Sequence, residues 1–83
     1  MNLEETCLFH LEDINVEEIR IKLQEIYEAL KERGYNPTNQ IVGYLISGDL
    51  GYISSYKDAR KKMQSIERAK IVEILLKEFQ NKQ

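Results

Sequence analysis

The sequence predicts an all-α protein, a small bundle of four to five short helices. Three observations carry that reading. Apolar residues recur at helical spacing in stretches punctuated by capping residues. Helix stop signals fall at Gly34 and Gly48. No stretch alternates apolar and polar residues between turns, as a half-buried strand would. With 83 residues the chain is one domain, and a core this small leaves a thin stability margin.

Residues 1–14 lack a clear helical period and read as a mobile N-terminal regulatory tail, lightly apolar at Leu8, Phe9 and Leu11. Residues 15–83 read as a single helical dimerisation domain. Asn15 with Glu18 forms a capping-box pattern at the start of its first helix. Val16, Ile19, Leu23, Ile26, Tyr27 and Leu30 then make an amphipathic stripe. Lys31 and Arg33 suit the last turn, and Gly34 ends it.

The stretch 34–49, GYNPTNQIVGYLISGD, organises the rest of the chain. It holds the only proline, three of the four glycines and the densest apolar run. Asn36 with Pro37 reads as an N-cap followed by proline at the first helical position. Gly48 reads as the left-handed residue that ends the helix. Ile41, Val42, Tyr44, Leu45 and Ile46 cover more than one side, so this central helix is expected to be buried.

Beyond it, Asp49 is placed to cap a short turn through Ile53. Ser54 or Ser55 is placed to start a helix over 56–64, and Ser55 with Asp58 resembles a capping box. Ala59 and Met63 would face inward and Lys57, Arg60, Lys61 and Lys62 largely outward. The last helix is expected over 66–80, with Ser65 as its cap or with a kink joining it to the helix before. Ile71, Val72, Ile74, Leu75, Leu76 and Phe79 occupy well over half its circumference. One neighbouring helix cannot hide so wide a face, so a second copy of the chain is expected to cover the remainder. Ile41, Val42, Tyr44, Leu45, Ile71, Leu75 and Phe79 are the residues expected in the core or the dimer interface, with the central and last helices forming that interface.

The net charge of −2 is unevenly spread. Residues 1–33 carry nine acidic against four basic side chains, and residues 56–83 carry eight basic against four acidic. The plainer reading is that the acidic and basic parts face each other, within one chain or across a dimer. The other is that the basic end meets an acidic protein, a phosphorylated side chain or nucleic acid. Lys57, Arg60, Lys61 and Arg68 are its candidate partner or phosphate ligands, with Lys62 and Lys70 nearby. Arg60 and Lys61 precede Arg68 by about two turns, so a continuous helix would put part of the cluster on one face. A small helical nucleic-acid-binding protein using the basic C-terminal helices is the alternative function.

Little points to catalysis. The single Cys7 and single His10 lack further ligands or a third catalytic group at sensible spacing. No glycine pattern of a phosphate-binding loop occurs. No metal, no cofactor and no enzymatic activity is expected. The five tyrosines sit beside apolar residues and read as core or interface groups rather than base-stacking ones. No run approaches a membrane helix in length, and the acidic start lacks the basic region of a signal peptide, so a cytoplasmic location is expected.

The residues also carry a resemblance. GYNPTNQIVGYLISGD, followed by YKDAR at 56–60 and IER at 66–68, resembles the IreB/ReoM family of small bacterial regulatory phosphoproteins. The similarity runs from about residue 6 to residue 79, and the central motif is long and distinctive. The resemblance implies an all-helical homodimer without catalytic activity. It implies a substrate of membrane Ser/Thr kinases with extracellular PASTA domains, acted on by a cognate phosphatase. It implies control of peptidoglycan synthesis and of tolerance to cell-wall antibiotics, in part of the family through proteolytic turnover of the enzyme committing UDP-N-acetylglucosamine to the wall.

The family's phosphoacceptor is a threonine in the N-terminal tail a few residues before an aromatic, and Thr6 with Phe9 matches it. Lys57, Arg60 and Arg68 match basic residues that matter in the family. Where the family usually reads GDPAYIPRHKDAR, this chain reads GDLGYISSYKDAR, so Leu50 and Ser54 replace prolines, Ser55 an arginine and Tyr56 a histidine. A phosphate on Thr6 would add roughly −1.5 to −2 charges to an acidic tail. The basic face could then capture it, or the phosphate could repel an acidic partner.

Overall fold

The computed structural model describes the backbone of residues 3–82 and the side chains of residues 15–82. Four α-helices follow one another: α1 (Leu3–Glu32), α2 (Pro37–Ser47), α3 (Ala59–Gln64) and α4 (Arg68–Asn81). Two single 3-10 turns, Leu50–Tyr52 and Tyr56–Asp58, lie between α2 and α3. The described residues contain no strand.

The helix ends follow local chemistry. α1 closes in a Schellman motif: Gly34 takes φ 93°, its N–H donates to the Lys31 carbonyl, and the Tyr35 N–H donates to the Leu30 carbonyl. α2 opens on Asn36, whose side chain accepts the Asn39 N–H at 3.1 Å, with Pro37 in the first turn. It ends at Gly48, φ 75°, whose N–H donates to the Tyr44 carbonyl at 2.7 Å. The Asp49 carboxylate accepts the Gly51 N–H at 2.8 Å and starts the first 3-10 turn. All these were readable from the sequence.

Three boundaries differ from the sequence reading. α1 does not start at Asn15 but runs through it from Leu3. Residues 3–14 contain no glycine or proline, and their leucines and glutamates favour helix. The helix expected over 56–64 begins as α-helix only at Ala59, because Lys57 and Asp58 take left-handed backbones, φ 49° and 61°. The Ser55 capping box does not form; the Ser54 hydroxyl accepts the Tyr56 N–H instead, at 3.1 Å. Ser65 closes α3 rather than opening α4, its hydroxyl donating to the Lys62 carbonyl at 2.6 Å. The chain breaks at 65–67, so α3 and α4 are separate.

The core is built on α1. Ile26, Ala29 and Leu30 share one face of it, and Ala59 and Met63 of α3 pack there with Ile53, Ile66, Ile71 and Tyr44. Ile19, Leu23, Ile41, Leu45, Leu50 and Tyr56 fill the margin. The expectation of a buried central helix is corrected here: within one chain only Tyr44 of α2 is buried, while Val42 is 45% and Ile46 81% exposed. α2 lies at one side of the α1 spine and covers it with a single face. Val42 and Ile46, off that face, point to solvent.

Candidate functional site

The basic cluster that the sequence nominates is divided by the fold. Lys57 Nζ lies 2.7 Å from a carboxylate oxygen of Glu32, at the end of α1. The Tyr56 hydroxyl donates to the other oxygen of the same carboxylate at 3.1 Å. The Lys57 hydrogen bond, and then the Tyr56 one, hold Glu32 below the usual carboxylate range. The same bond to Glu32 raises Lys57 above the usual lysine range. The Arg33 guanidinium lies over the Tyr56 ring, 5.5 Å from its centre. Lys62 pairs with Glu25 at 3.1 Å. These pairs join α3 and the turn before it to α1, so the acidic and basic parts of the sequence do face each other within one chain.

Arg60 and Arg68 turn to backbone carbonyls. Arg60 Nε–H donates to Ile53 O at 2.8 Å. Arg68 Nη1–H donates to Leu45 O at 3.3 Å, in the last turn of α2. Because α3 and α4 are separate helices, the two-turn spacing from Arg60 to Arg68 does not create one continuous basic face. Lys61 is exposed and has no ion pair or hydrogen bond among the described residues. The cluster as a unit, which the nucleic-acid alternative needs, is therefore partly spent on internal contacts.

Between α1 and α3 lies an open groove of about 410 Å³, floored by Ile21 and Ala29 and rimmed by Glu25, Glu28, Lys57 and Lys62. Its rim cations are the ones already paired with glutamates. Elsewhere the surface is apolar. On α4, Val72 (43%), Leu75 (48%), Leu76 (56%) and Phe79 (61%) are exposed, whereas Ile71 and Ile74 are buried. So the residues expected in the core or interface separate. Tyr44 and Ile71 are core, Ile41 and Leu45 are half-buried against it, and Val42, Leu75 and Phe79 are open. These four exposed apolar residues share one face of α4.

The departures in the loop after α2 form bonds of their own. Ser54 N–H donates to the Gln40 side chain at 3.3 Å, a bond that a proline in its place could not make. Tyr56 supplies the hydroxyl on Glu32. Arg60, Arg68 and Glu32 as fixed points of this loop were not readable from spacing, because their partners are carbonyls and a carboxylate distant in sequence. Thr6, like Cys7 and His10, lies outside the described side chains. No described helix is long and apolar enough to cross a membrane.

Comparison with known proteins places these features. Residues 4–81 match the family described as IreB regulatory phosphoprotein. A UPF0297 protein of Acetivibrio thermocellus is 47% identical over 77 residues, covering 93% of this chain and 86% of that protein.

Proposed function

The chain belongs to the IreB regulatory phosphoprotein family, and from that premise we propose that it is a non-enzymatic, homodimeric adaptor switched by phosphorylation of Thr6. The kinase is of the membrane Ser/Thr type with extracellular PASTA domains, opposed by a phosphatase. The output is control of peptidoglycan synthesis and of tolerance to cell-wall antibiotics, through a protein partner that governs turnover of a committed-step enzyme. The adaptor works in the cytoplasm, where the kinase domain is.

The match over residues 4–81 carries this reading, since it includes Thr6 as well as the central motif. Two features of the fold support it. The open apolar face of α4 offers the area a second copy would cover. Thr6 falls in the first turns of the long α1 helix, where a phosphate adds roughly −1.5 to −2 charges at the end of a helix that favours negative charge.

The test is replacement of the chromosomal gene by Thr6→Ala and by Thr6→Glu. The proposal expects opposite shifts in survival under a cell-wall antibiotic. If both variants behave as the wild type, Thr6 is not the switch.

A further inference from the structure

We infer that Arg60 and Arg68 are positioning residues, which hold the connection between α2 and α3 in one shape rather than serving as a free basic surface. This deepens the proposed function, because these residues belong to the basic set that the family resemblance marks.

The connection spans residues 48–58 and contains no α-helical turn, only the two 3-10 turns. It begins at Gly48, φ 75°, and ends on consecutive left-handed residues, Lys57 and Asp58. Two such non-glycine residues in a row are unfavourable by themselves and persist only where the surroundings hold them. Arg60 does so from the α3 side. Its Nε–H meets Ile53 O at 2.8 Å, and its backbone N–H meets Ser54 O at 3.0 Å. Ile53 is fully buried, so its carbonyl needs a donor supplied from nearby.

Arg68 holds the other end. Its guanidinium reaches back from the start of α4 to Leu45 O in the last turn of α2, where unpaired carbonyls favour a cation. It packs so closely that a β-carbon at Gly48 would lie 2.9 Å from its central carbon. Gly48 thus serves two ends: it takes the left-handed backbone and leaves room for the guanidinium. Lys61, between the two arginines in sequence, has no such contact among the described residues.

Amide hydrogen exchange on the purified full-length protein tests this. Arg60→Gln, Arg68→Gln and Gly48→Asn are compared with Lys61→Gln, which removes a charge but no contact. Asparagine tolerates the left-handed backbone, so Gly48→Asn displaces the guanidinium without changing charge. Each of the first three is expected to speed exchange of the Ile53 and Asp58 amides by about tenfold or more, the loss of a charge-assisted hydrogen bond. Global unfolding breaks the same contacts, so the Ile26 and Leu30 amides should speed by no more than the Ile53 and Asp58 amides; a rise confined to Ile26 and Leu30 would mean general support of the core and would overturn positioning.

The double variant Gly48→Asn/Arg68→Gln should be no worse than either single one, because both remove the same contact. Unchanged exchange in both arginine variants, an equal effect from Lys61→Gln, or full additivity in the double variant would overturn the inference. None of these readings depends on Thr6 or on any kinase, so failure of the regulatory proposal would show elsewhere.

Discussion

The ring of Tyr52 lies across Gly43: a β-carbon on that glycine would stand 2.5 Å from the ring's Cδ1 atom. A glycine in mid-helix costs helix stability, and here it gives the first 3-10 turn a seat on α2. Gly43→Ala should gain about 1 kcal/mol of helix propensity and expel the ring. Tyr52 is half exposed, so the ring can swing out, and the net change should stay within about 1 kcal/mol. In a Tyr52→Ala background the same change should stabilise by about 0.5–1 kcal/mol. Urea unfolding of the four proteins checks this. Destabilisation in the Tyr52→Ala background would mean that something other than the ring needs the glycine.

Met63 is fully buried against α1. Met63→Ala should cost about 2–5 kcal/mol, a large share of the roughly 4–12 kcal/mol expected for a domain of this size. Val42→Ala, on the open side of α2, should cost no more than about 0.5 kcal/mol in the monomer. Thermal melts at low protein concentration compare the two. Equal losses would place α2 in the core after all.

The contact of Glu32 with Lys57 and Tyr56 has a defined pH dependence. Glu32 is depressed in the folded state, so its contribution is present above the ordinary glutamate range and is lost as pH falls through its lowered titration. Lys57 is raised, so its contribution is present below the ordinary lysine range and is lost as pH rises through its elevated titration. The contact should hold throughout the interval between. Carboxyl carbon shifts should show Glu32 titrating below the ordinary glutamate range, and Lys57→Met should move it up toward that range. A Glu32 that titrates in the ordinary glutamate range would show that the contact does not persist in solution.

The open face of α4 predicts self-association. Sedimentation of the wild type should give a dimer, and Leu76→Asp/Phe79→Asp should give a monomer with unchanged helical circular dichroism. Both side chains are more than half exposed in the single chain, so their loss should not disturb the core. A wild type that stays monomeric at high concentration contradicts the homodimer.

How much of this was legible in the sequence depends on the range of the signal. Asn36, Pro37, Gly34, Gly48 and Asp49 act on neighbours a few residues away, and each behaves as its local chemistry dictates. The stripe Ile26 and Leu30, and the inward pair Ala59 and Met63, followed from helical spacing. The burial of α2 did not follow. Apolar residues on two sides of a helix look the same whether the second side is covered by the same chain or left open. Nor did the early start of α1 follow, since residues 1–14 show no clear apolar period, and their lack of glycine and proline is what lets the helix extend through them.

In the candidate site, the ion pairs were legible only as a charge imbalance between the two ends of the chain. Which lysine meets which glutamate depends on how α3 lies on α1. The carbonyl contacts of Arg60 and Arg68 had no sequence signal at all, since every residue offers a carbonyl. The left-handed pair Lys57 and Asp58 was hidden for a related reason: neither is glycine, and tertiary contacts hold both.

The central claim is that Thr6 is the switch, and intact mass with fragment mapping tests it most directly. The purified protein is incubated with ATP, magnesium and the catalytic domain of a PASTA-type kinase from its own source. The account predicts one added phosphate, located on Thr6 and absent from Thr6→Ala. No added phosphate, or phosphate only on Ser54 or Ser55, would contradict it.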